Sequence, residues 1–134
     1  MSLSCCDLKT MKGIAVFSNL RTLELIDMNY LVDISQIIDL SNLLKKIKII
    51  NGHKIRDFSV LEKLTKLKSL ELSRANKISN VDFLYKLENL QSVMLDVKLK
   101  GNAEKLLPGR GYKIEEKGDG RYIIEKNRYE NKGN

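Results

Sequence analysis

Pairs of aliphatic residues separated by a single position recur along this chain at a nearly constant interval. Leu23-x-Leu25 is followed 24 residues later by Ile47-x-Ile49, 23 later by Leu70-x-Leu72 and 23 later again by Val93-x-Leu95. A period of roughly 20 to 50 residues is the signature of stacked structural units, each too small to bury its own apolar side. The fold class follows from that stacking rather than from any one segment.

The remaining apolar positions keep the same phase. Leu31, Ile55 and Ile78 recur, then Ile34, Phe58 and Val81, then Ile37, Leu61 and Leu84, then Leu40, Leu64 and Leu87, then Leu43, Leu67 and Leu90. Extended backward, the phase places Leu8, Met11, Ile14, Phe17 and Leu20 in matching positions, so a partial unit precedes the first full one. Within each unit the alternating pair reads as a strand with one buried face, and the apolar residues at spacings of three read as a helix or 3-10 turn packed on it. Thr10, Asp33, Asp57 and Asn80 fall between the two regimes and are equivalent. All four side chains can cap a helical turn by accepting a backbone N–H. Ser59 and Glu62 add the spacing of a capping box.

The run Leu64 to Leu84, LTKLKSLELSRANKISNVDFL, resembles the short leucine-rich repeats of bacterial internalin-like proteins, with the pattern L-x-x-L-x-x-L-x-L-x-x-N-x-I. The resemblance spans residues 3 to 97 and rests on many positions in phase. It implies an α/β fold: a right-handed leucine-rich-repeat solenoid with a short parallel sheet on its concave side and helical or 3-10 turns on its convex side. In that family the concave strand face is the usual protein-binding surface. The family's turn asparagine is placed at Asn29 and Asn76, with Cys6 and His53 in the same position, and the spacer before Asn29, His53 and Asn76 is one residue longer than the family norm.

Three regions follow. Residues 1–97 form the solenoid, residues 98–125 a C-terminal cap and residues 126–134 a polar tail expected to be disordered. The phase fails after Leu95, where Gly101 stands in place of the next aliphatic residue. Asn102 to Leu107 reads as a short helix ended by Pro108 and Gly109. Tyr112 to Glu116 and Arg121 to Glu125 then flank Lys117-Gly118-Asp119-Gly120, a hairpin that would cover the last exposed core face. The first strand, near Leu3, lacks such a cover. Its open edge calls for preceding residues, a partner or a second copy.

A search for chemistry excludes most enzyme classes. There is one His and no Trp, and no metalloprotease, nucleophile-elbow or phosphate-loop motif. The two cysteines, Cys5 and Cys6, are adjacent and cannot form a disulfide framework or a four-ligand zinc site. Cys6 and His53 lie two units apart, on the order of 10 Å at a strand spacing of ~4.8 Å, too far for a nucleophile and its base. No catalytic residue, metal or cofactor is therefore expected. No run approaches the ~20 apolar residues of a membrane span, and no secretion signal begins the chain, which points to a cytoplasmic location and no membrane partner.

A binding surface is the remaining expectation. Alternation directs Thr22, Glu24 and Ile26 outward, then Lys46, Lys48 and Ile50, then Ser69, Glu71 and Ser73, then Ser92, Met94 and Asp96. Glu24, Ile26, Lys48, Ile50, Glu71, Ser73, Met94 and Asp96 are the candidate partner-binding residues. Glu24, Lys48 and Glu71 form a cross-strand charge ladder in this register, and Ile26 and Ile50 are neighbouring exposed aliphatics. The formal charge is +7, and residues 41–68 alone carry +6. The excess favours a partner with an acidic surface. The leading function is a non-catalytic protein-protein interaction module. An immunity or inhibitor protein that neutralises a toxin or enzyme is an alternative. A basic nucleic-acid-binding protein is the third reading, weakened because Lys45, Lys46, Lys48, Lys54, Arg56, Lys63, Lys66 and Lys68 spread over strand, turn and convex side without interleaved aromatics.

Overall fold

The computed structural model describes residues 1–74, 82–95, 111–116 and 122–126. Five strands, β1 (Ser2–Ser4), β2 (Thr22–Ile26), β3 (Lys46–Ile50), β4 (Ser69–Ser73) and β5 (Ser92–Leu95), lie side by side in chain order and pair in parallel. Short 3-10 elements of three to six residues connect them: η1 (Ile14–Val16), η2 (Ser35–Leu40), η3 (Ser59–Lys63) and η4 (Asp82–Lys86). The result is a solenoid-like stack in an α/β arrangement, with a short parallel sheet on one side and 3-10 turns on the other. The register is the one the spacing requires, with Leu23 beside Ile47, Ile47 beside Leu70, and Leu70 beside Val93.

All four turns are 3-10 rather than α. The sequence favours this, because apolar residues three apart stay on one line only when a turn holds 3.0 residues. At 3.6 residues per turn the same row drifts around the axis. Ile34, Ile37 and Leu40 therefore all face inward, as do Phe58, Leu61 and Leu64. They meet Leu23, Leu25, Ile47, Ile49, Leu70 and Leu72 from the sheet in one continuous core whose fully buried side chains are all apolar among the described residues.

The capping role of the polar residues is realised in part. Asp33 accepts the Ser35 amide and Asp57 the Ser59 amide, both at 2.8 Å, while Thr10 accepts from Lys12 at 3.3 Å. Each spans two residues, so the side chain closes a tight turn just before the helical residues. Asn80 lies outside the described residues. Ser59 is itself the first residue of η3, and Glu62 faces Lys63 and Lys86, each at 3.8 Å, so the Ser59–Glu62 capping box does not form.

The backbone amide of Ser35, with its hydroxyl, holds the Asp33 carboxyl below its ordinary value of 3.8, and Ser59 does the same for Asp57 against the opposing effects of desolvation and, after it, the Asp33 charge. A depressed folded-state value means that the contribution is complete above the unfolded value and is lost as pH falls through the folded one. The gap between the thermal midpoints of the wild type and of D33A/D57A should therefore be full at pH 6 and begin to narrow only as pH falls below about 3.8. A gap that stayed constant down to pH 2.5 would contradict this assignment.

Two sequence assignments need correction. Leu43 is only half-buried, and Leu44 is the residue that fills the core position shared with Leu67 and Leu90. In the 24-residue unit the Leu44 amide reaches back four residues to the Leu40 carbonyl, whereas Leu67 and Leu90 reach back three, to Leu64 and Leu87. One widened turn thus absorbs the additional residue. Second, the inward position after the strand belongs to Met28 and Gly52, both buried, while Asn29 is exposed and His53 half-buried. Asn76 lies outside the described residues.

The front of the chain is uncovered, as the open edge near Leu3 implies. Leu8 and Phe17 are equivalent to buried Leu31 and Leu40 but are 43% and 46% exposed, because no unit packs against them among the described residues. With Met1, Leu3, Met11 and Ile14 they line a cleft of about 240 Å³ at the open end.

At the other end the expected hairpin is present as β6 (Tyr112–Glu116) and β7 (Tyr122–Lys126), paired antiparallel. It is the later strand, β7, that lies against β5, giving the order β1-β2-β3-β4-β5-β7-β6. The Tyr112 hydroxyl donates to the Leu90 carbonyl at 2.5 Å, tying the hairpin to the last repeat. The expected helix at residues 102–107, the hairpin turn at 117–120 and most of the tail from 126 to 134 lie outside the described residues.

Candidate functional site

The outward face of the sheet brings the predicted positions together in straight rows. Glu24, Lys48, Glu71 and Met94 form one row across β2 to β5, and Ile26, Ile50 and Ser73 form the next across β2 to β4. All seven are half-buried, shielded by their cross-strand neighbours yet reachable by a partner. Asp96 lies outside the described residues.

The charge ladder is asymmetric. Lys48 Nζ lies 3.6 Å from Glu71 Oε2, and both side chains are 27% exposed, while no equivalent contact joins Lys48 to Glu24. A pair this open to water contributes little to stability, on the order of 0–1 kcal/mol. Its consequence is geometric, because it neutralises the middle of the face. On one side of it stands the directly paired Ile26 and Ile50. On the other, Met94 is paired with Ile123 of the hairpin. The surface therefore reads aliphatic, ion pair, aliphatic. Aliphatic contact area around a neutralised charge pair is suited to holding a protein surface.

Ile123 could not be placed from sequence. It sits half-buried in the same row because β7 rather than β6 adjoins β5. The alternation Tyr122-Ile123-Ile124 marks a strand but says nothing of its neighbour.

A second group of residues borders the face where the chain leaves each strand. Cys5, Asp27, Asn51 and Arg74 stand one position after β1, β2, β3 and β4, and all four have positive φ, from 53° to 59°. The left-handed conformation turns the chain off the sheet at the same point after each of these four strands. The Asn51 side-chain amide donates to Asp27, and Arg74 Nη1 donates to Asn51 Oδ1 at 3.3 Å. These side chains cross-link consecutive turns and fix the rim beside Ile26 and Ile50.

Matches to known proteins are absent at every level. No family model matches the sequence, and neither the curated proteins nor the solved structures include a match. The geometry alone therefore carries the reading of the site. Among the described residues no group of three or more His, Cys, Asp or Glu side chains could hold a metal ion. No helix among them is long and apolar enough to cross a membrane.

The basic stretch is sorted by the fold. Lys48 pairs with Glu71, Lys63 with Glu62, and Lys54 lies 5.4 Å from the centre of the Tyr30 ring. Lys45, Lys46 and Lys68 instead gather with Arg21 along one edge of the sheet, the edge at which the chain enters each strand.

Proposed function

We propose that the chain is a non-catalytic protein-interaction module of the leucine-rich-repeat type, and that it holds a partner protein on the open face of its strands. The observation that carries this reading is the direct pairing of Ile26 with Ile50 on that face, beside the Lys48–Glu71 ion pair. Aliphatic side chains held at an outward position of a rigid sheet offer contact area at little entropic cost, since the backbone beneath them is already ordered. The repeat phase, the strand register and the leucine-rich pattern of residues 64–84 support the same assignment.

The test uses the full chain as bait in affinity capture from the source cells, with Ile26→Asp and Ile50→Asp as single-variant baits. Each Asp places an unpaired charge in the contact, and a buried charge without a partner typically costs 2–5 kcal/mol of binding. Recovery of the partner should therefore fall by more than tenfold, while circular dichroism and cooperative unfolding persist because both side chains are half-exposed in the free chain. Equal recovery by wild type and both variants overturns the assignment of this face.

A further inference from the structure

Arg21, Lys45 and Lys68 precede β2, β3 and β4 by one residue and are bonded to one another through the backbone. The Lys45 amide donates to the Arg21 carbonyl at 2.8 Å, and the Lys68 amide donates to the Lys45 carbonyl at 2.7 Å. Gln91 continues the column, its amide donating to the Lys68 carbonyl at 2.8 Å. The three cations are thus stacked at the interstrand repeat of ~4.8 Å. Lys46, paired in register with Thr22 and Ser69, adds a fourth charge one position along. Arg21, Lys46 and Lys68 are exposed and Lys45 is half-exposed. None of the four makes an ion pair among the described residues, whereas Lys48, Lys63 and Lys86 all do.

Such a column is unfavourable in the isolated chain. Like charges on adjacent strands repel, and the ion-paired carboxylates among the described residues, Glu62 and Glu71, are taken by Lys63, Lys86 and Lys48. Local arrangements that cost stability without internal compensation are expected where a partner supplies the compensation. The column also borders the open strand face, since Arg21, Lys45 and Lys68 are followed directly by Thr22, Lys46 and Ser69.

We infer that the Arg21–Lys45–Lys68 edge, with Lys46, is the electrostatic half of the binding surface and engages a row of carboxylates on an acidic partner protein. This rests on the reading of the strand face as a protein-binding surface. A protein is favoured over a nucleic acid because the aliphatic pairs Ile26–Ile50 and Met94–Ile123 share the adjoining face. A phosphate backbone would leave them uncovered, while an acidic protein edge covers both. Of the exposed rings among the described residues, Tyr30 is covered by Lys54 where the chain leaves β2 and Phe17 lies at the open end, so neither stands beside the column.

The experiment titrates the full chain with poly-L-glutamate and, separately, with mixed-sequence single-stranded DNA, at several salt concentrations. K45Q/K68Q is compared with K9Q/K12Q, which removes the same charge from exposed positions near the open end. Poly-L-glutamate affinity is expected to fall about tenfold in K45Q/K68Q, with a shallower salt dependence, and less than twofold in K9Q/K12Q. At low ionic strength K45Q/K68Q should also melt higher than the wild type. Equal losses in the two variants would show that net charge alone is sensed, and would overturn the inference. Tighter binding of DNA than of poly-L-glutamate, lost in K45Q/K68Q, would overturn it in favour of a nucleic acid. Failure of the face itself is read separately, because Ile26→Asp should abolish partner capture while changing poly-L-glutamate affinity by less than twofold.

Discussion

Leu61→Ala should destabilise the chain by about 2–5 kcal/mol, the range for truncating a fully buried leucine whose surroundings cannot collapse into the space. Leu61 is fully buried and lies in η3, in the middle of the stack, where its unit packs on a unit at either side through η2 and η4. Stability in a stacked architecture is close to a sum of unit and nearest-neighbour terms. A cavity at this position weakens both of the interfaces its unit makes. Urea denaturation followed by circular dichroism measures the loss. Ile14→Ala, in η1 at the open end, serves as the comparison, because its unit has a neighbour on one side only among the described residues. It should cost clearly less, and equal losses would show that the units do not couple as nearest neighbours.

The second large effect is expected at Gly52. A Cβ added there would stand 2.8 Å from Ile49 Cγ2 and 2.8 Å from Ile55 Cδ1, both belonging to fully buried side chains. Neither can move without displacing the core around it, and overpacking of this kind costs about 1–3 kcal/mol. Gly52→Ala should lower the denaturation midpoint accordingly. Because valine lacks the Cδ1 atom, G52A/I55V removes one of the two clashes and should recover part of the loss. A double variant less stable than G52A would show that lack of room is not what glycine satisfies here. Met28, the equivalent residue one unit earlier, is fully buried, so the same turn position accepts a large side chain or none according to what its neighbours leave open.

Gly52 and Met28 also show how far a repeat can be read without coordinates. The period locates the turn after each strand but not which of two successive residues points inward. Asn29 and His53 carry the polar character expected of the position, yet the interior takes Met28 and Gly52. The additional residue in the 24-residue unit poses the same difficulty. Leu43 and Leu44 are both leucine, and only the Leu44-to-Leu40 hydrogen bond shows where the chain widened. Both ambiguities arise because two candidate side chains stand next to each other and packing chooses between them.

The candidate site divides along similar lines. Strand alternation and a constant interval are enough to place Glu24, Lys48, Glu71 and Met94 in one row and Ile26, Ile50 and Ser73 in another, and the pairing register agrees. Ile123 joins the first row only through the order in which two hairpin strands dock, which alternation does not encode. The lysines of residues 45–68 look dispersed in sequence, and Arg21 stands apart from them. Stacking brings Arg21, Lys45 and Lys68 into one column.

By itself, the sequence determined the stacked architecture, its register and the outward face, because a side-chain period of two and a unit period of 23 to 24 leave one arrangement that buries every aliphatic pair. The tertiary structure alone decided which residues fill the turns, which cations find carboxylates, which hairpin strand closes the sheet and how much of the front unit stays exposed. Those outcomes depend on contacts between neighbouring units rather than on the pattern within one, and a long flexible lysine or a doubled leucine carries no local preference strong enough to settle them.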